Sequence, residues 1–99
     1  MWHLYIIRCG DDTFYTGITT DVARRFDEHV CGGPRAAKYL RGRGPLRLVA
    51  QVEVGGRMQA ARLEYRVKAL TRTEKKRLVE CPVLLQAMVA AIEAQIGKG

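Results

Sequence analysis

Residues 2–30 read WHLYIIRCGDDTFYTGITTDVARRFDEHV, and this segment has the pattern of two strands followed by a helix. Residues 2–8 are rich in β-branched and aromatic side chains. The turn cluster Gly-Asp-Asp at 10–12 separates them from a second extended run at 13–18. The two runs and the turn between them predict a β-hairpin.

A helix is expected directly after the hairpin. Thr20 or Asp21 can cap its amino end, because both side chains accept hydrogen bonds from the backbone N–H groups of a first helical turn. Val22, Phe26 and Val30 recur every four residues, which places them on one helix face. We therefore predict a helix to about Val30 with this face toward the core.

A loop and a third strand are expected next. Residues 31–45 are rich in glycine, proline and basic residues, which is typical of a loop, with one helical turn at about 36–40. After Pro45 the apolar residues alternate with their neighbours, and this period of two predicts a strand. One face of that strand is expected to carry Leu46, Leu48, Ala50, Val52 and Val54.

Three helices are expected in the remainder of the chain. The first has apolar residues at a 3-4-3 spacing, the second is a short helix at 74–80 behind a capping threonine, and the third opens at a proline. Their diagnostic residues are Ala60, Leu63, Val67 and Leu70; Thr71 or Thr73; and Pro82, Leu84, Met88 and Ile92. The order β-β-α-β-α-α-α indicates an α+β fold with a small mixed or antiparallel three-stranded sheet flanked by helices.

The length of the chain limits the number of its domains, and its charge indicates the kind of partner that it binds. A chain of 99 residues has room for one domain, 1–99, and its hydrophobic share of 47% supplies a core without disulfides or structural metals. Seventeen Lys and Arg against ten Asp and Glu give a net charge of +7. This charge favours a polyanionic partner, nucleic acid first and an anionic membrane surface second. Its concentration between residues 24 and 47 predicts a basic patch.

The cysteines indicate the compartment. Cys9, Cys31 and Cys81 are an odd set without a C-x-x-C pair, so neither a disulfide framework nor a zinc site is expected. A reducing cytoplasm fits such thiols. We also expect no signal peptide and no membrane span, since the longest weakly polar stretch, 83–92, is far shorter than the roughly 20 residues that a bilayer requires.

Short motifs follow one another in a set order: Leu4-Tyr5-Ile6, Tyr15-Thr16-Gly17, Arg24-Arg25 with Glu28-His29, Ala37-Lys38-Tyr39, and Ala61-Arg62-Leu63-Glu64. The ordered set resembles the GIY-YIG endonuclease superfamily, in particular its small single-domain bacterial members of the YhbQ type. The resemblance covers residues 2–80 and leaves 81–99 as a C-terminal helix. It implies hydrolysis of phosphodiester bonds in DNA with one divalent ion, Mg²⁺ or Mn²⁺.

The catalytic residues implied by the resemblance are Tyr5, Tyr15, Arg25, His29 and Glu64, with Glu64 as the metal ligand. A fixed arginine and a metal ion both stabilise the charge that develops on a phosphate under attack, and Mg²⁺ often binds through one carboxylate. A phenol acts as a base at neutral pH only where positive charge favours the phenolate. We expect Tyr5 as the general base, with Tyr15 positioning water or phosphate.

Spacing alone supports part of this arrangement. Tyr5 and Tyr15 can meet across the hairpin if the strand register allows it. Arg25 and His29 are four residues apart and share a helix face, whereas Arg24 points elsewhere.

The side chains expected to bind nucleic acid are Arg24, Arg35, Lys38, Tyr39, Arg41 and Arg43. DNA is favoured over RNA as the partner, and Tyr39 can stack on an unpaired base. No membrane or small-molecule partner is expected. A monomer is favoured, although residues 83–92 can either close the core or form a dimer contact.

Alternative interpretations remain open at this stage. The chain contains no asparagine, whereas the superfamily commonly carries one in its carboxy-terminal part. A binding module that keeps the fold and the basic patch without hydrolysis is therefore the second hypothesis.

Glu64 can pair with Lys68, four residues on, instead of binding a metal. A membrane-surface adaptor would need a basic amphipathic helix, which the nearly uncharged last helix does not provide. Gly17 allows either a close chain turn or a close approach of phosphate to the backbone.

Overall fold

The computed structural model describes residues 1–97, so the last two residues of the expected C-terminal helix lie outside the described part. Its elements are β1 (Trp2–Arg8), β2 (Phe14–Thr19), α1 (Val22–Cys31), a 3₁₀ turn (Lys38–Leu40), β3 (Arg47–Gly55), α2 (Arg57–Lys68), α3 (Arg72–Glu80) and α4 (Pro82–Gly97). This order confirms the predicted β-β-α-β-α-α-α arrangement. The 3₁₀ turn lies within the segment where one helical turn was expected.

The sheet has the order β2-β1-β3, and both neighbouring pairs are antiparallel. Of the two sheet types that the sequence allows, the antiparallel one is therefore present. The central strand β1 is buried on both faces, with Leu4 and Ile6 on one face and Tyr5 and Ile7 on the other. Each sheet face then needs a covering layer.

The two faces of the sheet have different covers. Helices α2, α3 and α4 cover the face of Leu4, where Leu63, Val67, Leu85 and Ile92 are buried in the larger hydrophobic cluster. The opposite face carries a smaller cluster that unites β1 with α1 and the 3₁₀ turn. Its buried members are Tyr5, Ile7, Cys9, Val22 and Leu40.

Strand β3 departs from the strict alternation that the sequence predicts. Ile6 lies opposite Ala50 and Ile7 lies opposite Leu48, so Val49 is an extra residue that forms a β-bulge. The bulge changes the face of the strand. Leu48 packs with the smaller cluster, whereas Ala50 packs with the larger one. The prediction that these residues share one face was therefore wrong.

On two helices the predicted apolar face packs in the core except at one residue. Val30 is 57% exposed, and the neighbouring His29 is the residue that α1 buries in its last turn. On α4 the buried residues are Leu85, Val89 and Ile92, whereas Leu84 is 39% exposed. This helix is apolar nearly all round, so its sequence pattern does not define which stripe faces the core.

Local signals fix the helix ends. Asp21 accepts a hydrogen bond from the backbone N–H of Arg24 at 3.1 Å and so caps α1, which ends at Gly32 in the left-handed conformation. Thr71 and Glu74 form a reciprocal capping box at the start of α3. Both caps agree with one of the two residues expected at each position.

Helix α4 closes the core, because its buried residues belong to the larger cluster. Among the helices of residues 1–97, none is by itself long and apolar enough to cross a membrane. Helices α3 and α4 reach the required length and apolar composition only when they are counted together across a bend of 104°.

Candidate active site

Three rings from three elements meet on the sheet face that α1 covers. Tyr5 comes from β1, Tyr15 from β2 and His29 from α1. The ring centroids are 6.3 Å apart for the two tyrosines, 5.9 Å for Tyr5 and His29, and 5.5 Å for Tyr15 and His29. The hairpin register pairs Tyr5 with Gly17 and Ile7 with Tyr15, so the tyrosines are diagonal neighbours. The expected meeting of Tyr5 and Tyr15 is confirmed.

Gly17 makes room for the Tyr5 ring. A Cβ atom at position 17 would lie 2.6 Å from Tyr5 Cζ and closer still to the hydroxyl oxygen. The missing side chain therefore serves a close approach of a tyrosine ring to the backbone. The sequence favoured a tight turn or a phosphate contact at Gly17, and its role in ring packing becomes visible only once the strands are paired.

The hydrogen bonds of His29 fix the position of its proton. The backbone N–H of Ala37 donates to Nδ1 at 3.2 Å, and Nε2 lies 2.8 Å from the Tyr5 hydroxyl. Because Nδ1 accepts a hydrogen bond, the neutral ring carries its proton on Nε2. His29 therefore donates to the Tyr5 oxygen. Burial, and then the charge of Arg25, lowers the pKa of His29, which favours this neutral ring.

The two tyrosines differ in exposure. Tyr5 is only 1% exposed, and burial, followed by the neighbouring Tyr15, raises the pKa of its phenol well above the usual range. The Arg25 guanidinium opposes this shift without cancelling it. Tyr15 is only partly buried and lines an open cleft. Burial disfavours the phenolate that a general base at Tyr5 would require.

Arg25 is held against the basic loop. Its Nη1 atom donates to the backbone carbonyl of Arg35 at 2.6 Å and to Glu28 Oε1 at 3.2 Å. Glu28 also pairs with the side chain of Arg35 at 3.3 Å, and its hydrogen bond with Arg25 is the main cause of its lowered pKa. Arg24 is exposed and lies in a groove on the outer side of α1. The expected difference between Arg24 and Arg25 is therefore present in the fold.

Glu64 lies on α2 and pairs with Lys68 at 3.4 Å, which is the structural alternative that the sequence left open. Its side chain is 24% exposed, and Lys68 lines the same cleft as Tyr15. Residues 1–97 contain no group of three His, Cys, Asp or Glu side chains that could hold a metal ion. One accessible carboxylate fits a hard cation that takes its other ligands from water and phosphate, as Mg²⁺ commonly does.

Two of the expected nucleic-acid-binding residues lie beside Tyr15. The ring of Tyr39 stacks on that of Tyr15 with centroids 5.9 Å apart and an interplanar angle of 29°. The Arg43 guanidinium lies 4.3 Å from the Tyr39 centroid and pairs with Asp11 at 2.6 Å. Arg43 thus already covers the ring that was expected to stack on a base.

The other expected basic residues are spread around α1 and the loop. Arg24 and Arg35 line the outer groove of α1 together with carboxylates, of which Glu28 pairs with Arg35. Lys38 is exposed on the 3₁₀ turn, and Arg41 lines a small cavity of about 160 Å³ next to His29. The basic patch of the sequence is therefore divided between the two sides of α1.

Two lysines that the sequence interpretation did not assign to binding lie in the cleft. Lys68 from α2 and Lys75 from α3 line it together with Tyr15 and Tyr39. The basic run RTEKKR at 72–77 was the available signal for Lys75. Its proximity to the hairpin depends on the packing of α3 and could not be predicted from the charge run alone.

The fold and the site define a small α+β domain with a three-stranded antiparallel sheet, in which two tyrosines and a histidine meet and an arginine lies on the same helix as the histidine. The model of the family described as the GIY-YIG catalytic domain matches residues 1–77. The chain therefore belongs to the GIY-YIG family, a family of nucleases.

Small proteins of similar length are close relatives. A UPF0213 protein of Cronobacter sakazakii is 51% identical over 90 residues, which cover 91% of this chain and 93% of that protein. The UPF0213 protein YhbQ of Salmonella typhimurium is 45% identical over 97 residues, with 98% and 95% covered. The solution NMR structure of a UPF0213 protein from Bacillus halodurans has 48% identity and a TM-score of 0.51 over 81% of this chain and 84% of its own. These similarities confirm the predicted family and fold class.

Proposed function

We propose that this protein is a divalent-metal-dependent endonuclease that hydrolyses phosphodiester bonds in DNA. The observation that carries the proposal is the convergence of Tyr5, Tyr15 and His29, with Arg25 on the same helix as His29. Membership of a nuclease family supports the same chemistry. The net charge of +7 supports a polyanionic substrate.

In the proposed mechanism, Tyr15 is the base and Tyr5 is a positioning residue. Tyr15 lines the open cleft, whereas Tyr5 is buried behind it. Tyr15 as phenolate takes a proton from the attacking water, the water oxygen bonds to phosphorus, and the bond to the leaving oxygen breaks. The leaving oxygen then takes a proton from solvent water. Lys68 and Lys75 line the same cleft and place positive charge on the side of Tyr15 where a phosphate would lie. This assignment exchanges the roles that the sequence interpretation gave to the two tyrosines.

Arg25 and Glu64 have complementary roles in the proposal. Arg25, fixed by the Arg35 carbonyl and Glu28, stabilises the negative charge that develops on the phosphate oxygens. Glu64 is the side chain that would hold one Mg²⁺ or Mn²⁺ ion. Such an ion would supply positive charge that neutralises the phosphate.

The hydrogen bond between Tyr5 and His29 holds the two rings of the site in position. His29 donates to the Tyr5 oxygen, so the hydroxyl proton of Tyr5 is free to be donated to another group. The Ala37 amide holds the histidine ring in this tautomer. The loop that carries Ala37 is therefore joined directly to the ring cluster.

The test is nicking of supercoiled plasmid DNA by the purified protein with Mg²⁺ or Mn²⁺, and with EDTA as the control. Arg25→Ala protein, purified in parallel, controls for contaminating nucleases. Metal-dependent nicking that the variant lacks supports the proposal. Equal nicking by both proteins would assign the activity to a contaminant, and failure to cut plasmid, single-stranded and branched DNA would reject it.

The second candidate is a nucleic-acid-binding module without hydrolysis. It is favoured by the absence of asparagine from the chain and by the Glu64–Lys68 ion pair, which engages the carboxylate proposed to hold the metal. DNA or RNA binding in the presence of metal, without cleavage of any substrate tested, would establish this alternative.

The setting of the proposed enzyme is the cytoplasm, where it acts as a monomer on DNA in preference to RNA. Its three cysteines are free, and Cys31 and Cys81 are exposed. Exposed free thiols support a reducing compartment. Sedimentation of the purified protein tests the monomer, and competition between DNA and RNA oligonucleotides tests the preference.

A further inference from the structure

The cleft beside Tyr15 combines aromatic walls with positive charge. It has a volume of about 360 Å³ and is lined by Phe14, Tyr15, Thr16, Tyr39, Lys68 and Lys75. Its residues come from β2, the 3₁₀ turn, α2 and α3. Both charged residues of the lining are lysines, so the cleft is suited to an anion.

Lys75 has no counter-ion of its own in the described structure. Across residues 1–97, no carboxylate lies within 4.0 Å of its ammonium group. Its side chain is partly buried, which makes an unpaired charge more costly than on an open surface. On its own helix, the carboxylate of Glu74 is engaged in the cap with the Thr71 backbone at 2.9 Å. An external anion would supply the missing partner.

Lys68 makes the cleft a site for two cationic contacts. Its ammonium lies 3.4 Å from Glu64, but its side chain is 53% exposed and remains accessible from the cleft. The aromatic walls next to the two lysines offer contact surface to the sugar of a nucleotide. A phosphate joined to a sugar therefore suits this cleft better than a free phosphate ion.

We propose that Lys68 and Lys75 bind a phosphodiester group of the nucleic-acid strand next to the group that Tyr15 addresses. This inference rests on the proposed function, because it takes the substrate to be nucleic acid. The strand then contacts the protein on both sides of Tyr15, at Arg43 on the loop and at Lys75 on α3. Phosphate contacts of this kind fix the register of a strand without reading its sequence.

Binding at this subsite has a consequence for Glu64. A phosphate that takes up the Lys68 ammonium competes with Glu64 for the same charge. The Glu64 carboxylate is then released when a strand occupies the cleft. Lys68 thus acts as a positioning residue, which holds the carboxylate until the substrate arrives.

The test is the salt dependence of DNA binding, measured in EDTA by fluorescence anisotropy of a labelled oligonucleotide. Lys75→Gln should weaken binding and reduce the slope of log K against log salt by about 0.7 to 0.9, the value for one lost phosphate contact. Lys75→Arg should restore the slope. The matched control is Arg66→Gln, which removes one charge on the far side of α2, where Arg66 bonds Gln95 at 2.6 Å.

Each outcome has a distinct meaning. Equal slope changes in Lys75→Gln and Arg66→Gln would overturn the subsite, as would failure of the wild-type protein to bind DNA. Displacement of the oligonucleotide by inorganic phosphate, but not by chloride at equal ionic strength, would assign the lysines to a free anion instead. The measurement contains no divalent ion, so a protein that binds through Lys75 but never cleaves would reject the nuclease proposal and leave the subsite intact.

Discussion

Replacement of Gly17 by alanine would test the contact that places the Tyr5 ring. The added Cβ would lie 2.6 Å from Tyr5 Cζ, well inside the roughly 3.5–4.0 Å at which carbon atoms make favourable contact. Tyr5 is 1% exposed and packs in the smaller cluster, so the ring cannot turn outward without breaking that packing. Either the ring or β2 must move.

The direction of the stability change distinguishes Gly17→Ala from an ordinary glycine-to-alanine substitution in a strand. Alanine in a strand is usually more stable than glycine by roughly 0.5–1 kcal/mol, because it loses less backbone entropy. Overpacking of a filled core costs about 1–3 kcal/mol. Loss of the 2.8 Å bond between Tyr5 and His29 adds about 1 kcal/mol. We therefore expect Gly17→Ala to lower the free energy of unfolding by about 1–3 kcal/mol.

Urea unfolding followed by circular dichroism would measure this change. Gly33→Ala is the matched control, since a Cβ at position 33 would meet no atom within 4 Å, and it should be neutral or more stable by up to about 1 kcal/mol. In a Tyr5→Leu background the penalty of Gly17→Ala should shrink, because the ring that it strikes is gone. Equal midpoints for Gly17→Ala and Gly33→Ala would refute the reasoning.

Three further predictions concern cleavage. Glu64→Gln should abolish metal-dependent nicking at millimolar Mg²⁺ while the protein still binds DNA, and unchanged nicking would move the metal site elsewhere. Tyr15→Phe should reduce turnover more than Tyr5→Phe, because Tyr15 is proposed to take the proton of the attacking water and Tyr5 only to position the site. A larger loss in Tyr5→Phe would return the base to Tyr5. Arg25→Ala should lower kcat by about 10² or more, by analogy with the loss of an oxyanion donor. Arg24→Ala should do much less, and equal losses in single-turnover assays would show that the wrong face of α1 was chosen.

The order of elements was predictable because each boundary has a local cause. Three of these boundaries depend on residues only a few positions apart in the sequence. They are the turn cluster at 10–12, the cap at Asp21 and the capping box of Thr71 with Glu74. The bulge at Val49 is different. It depends on how β3 pairs with β1, and its residues follow a regular period of two that gives no sign of it.

Some features of the candidate site could likewise be predicted from the sequence, whereas others depend on the folded structure. The resemblance to a nuclease family supplied Tyr5, Tyr15, Arg25 and His29, and the fold brings these four residues together. The proton position on His29 was not predictable, because it depends on an amide eight residues away whose loop must first fold. The unpaired charge of Lys75 likewise depends on which carboxylates the packing of α3 brings near it.

The bulge at Val49 also affects how the domain unfolds. Because β3 changes faces there, Leu46 and Leu48 belong to the cluster around Tyr5, while Val52 and Val54 belong to the cluster under the helices. The β3 segment therefore contributes side chains to both hydrophobic clusters. Unfolding of either cluster would remove contacts that hold β3 against β1, so we expect the two clusters to unfold together.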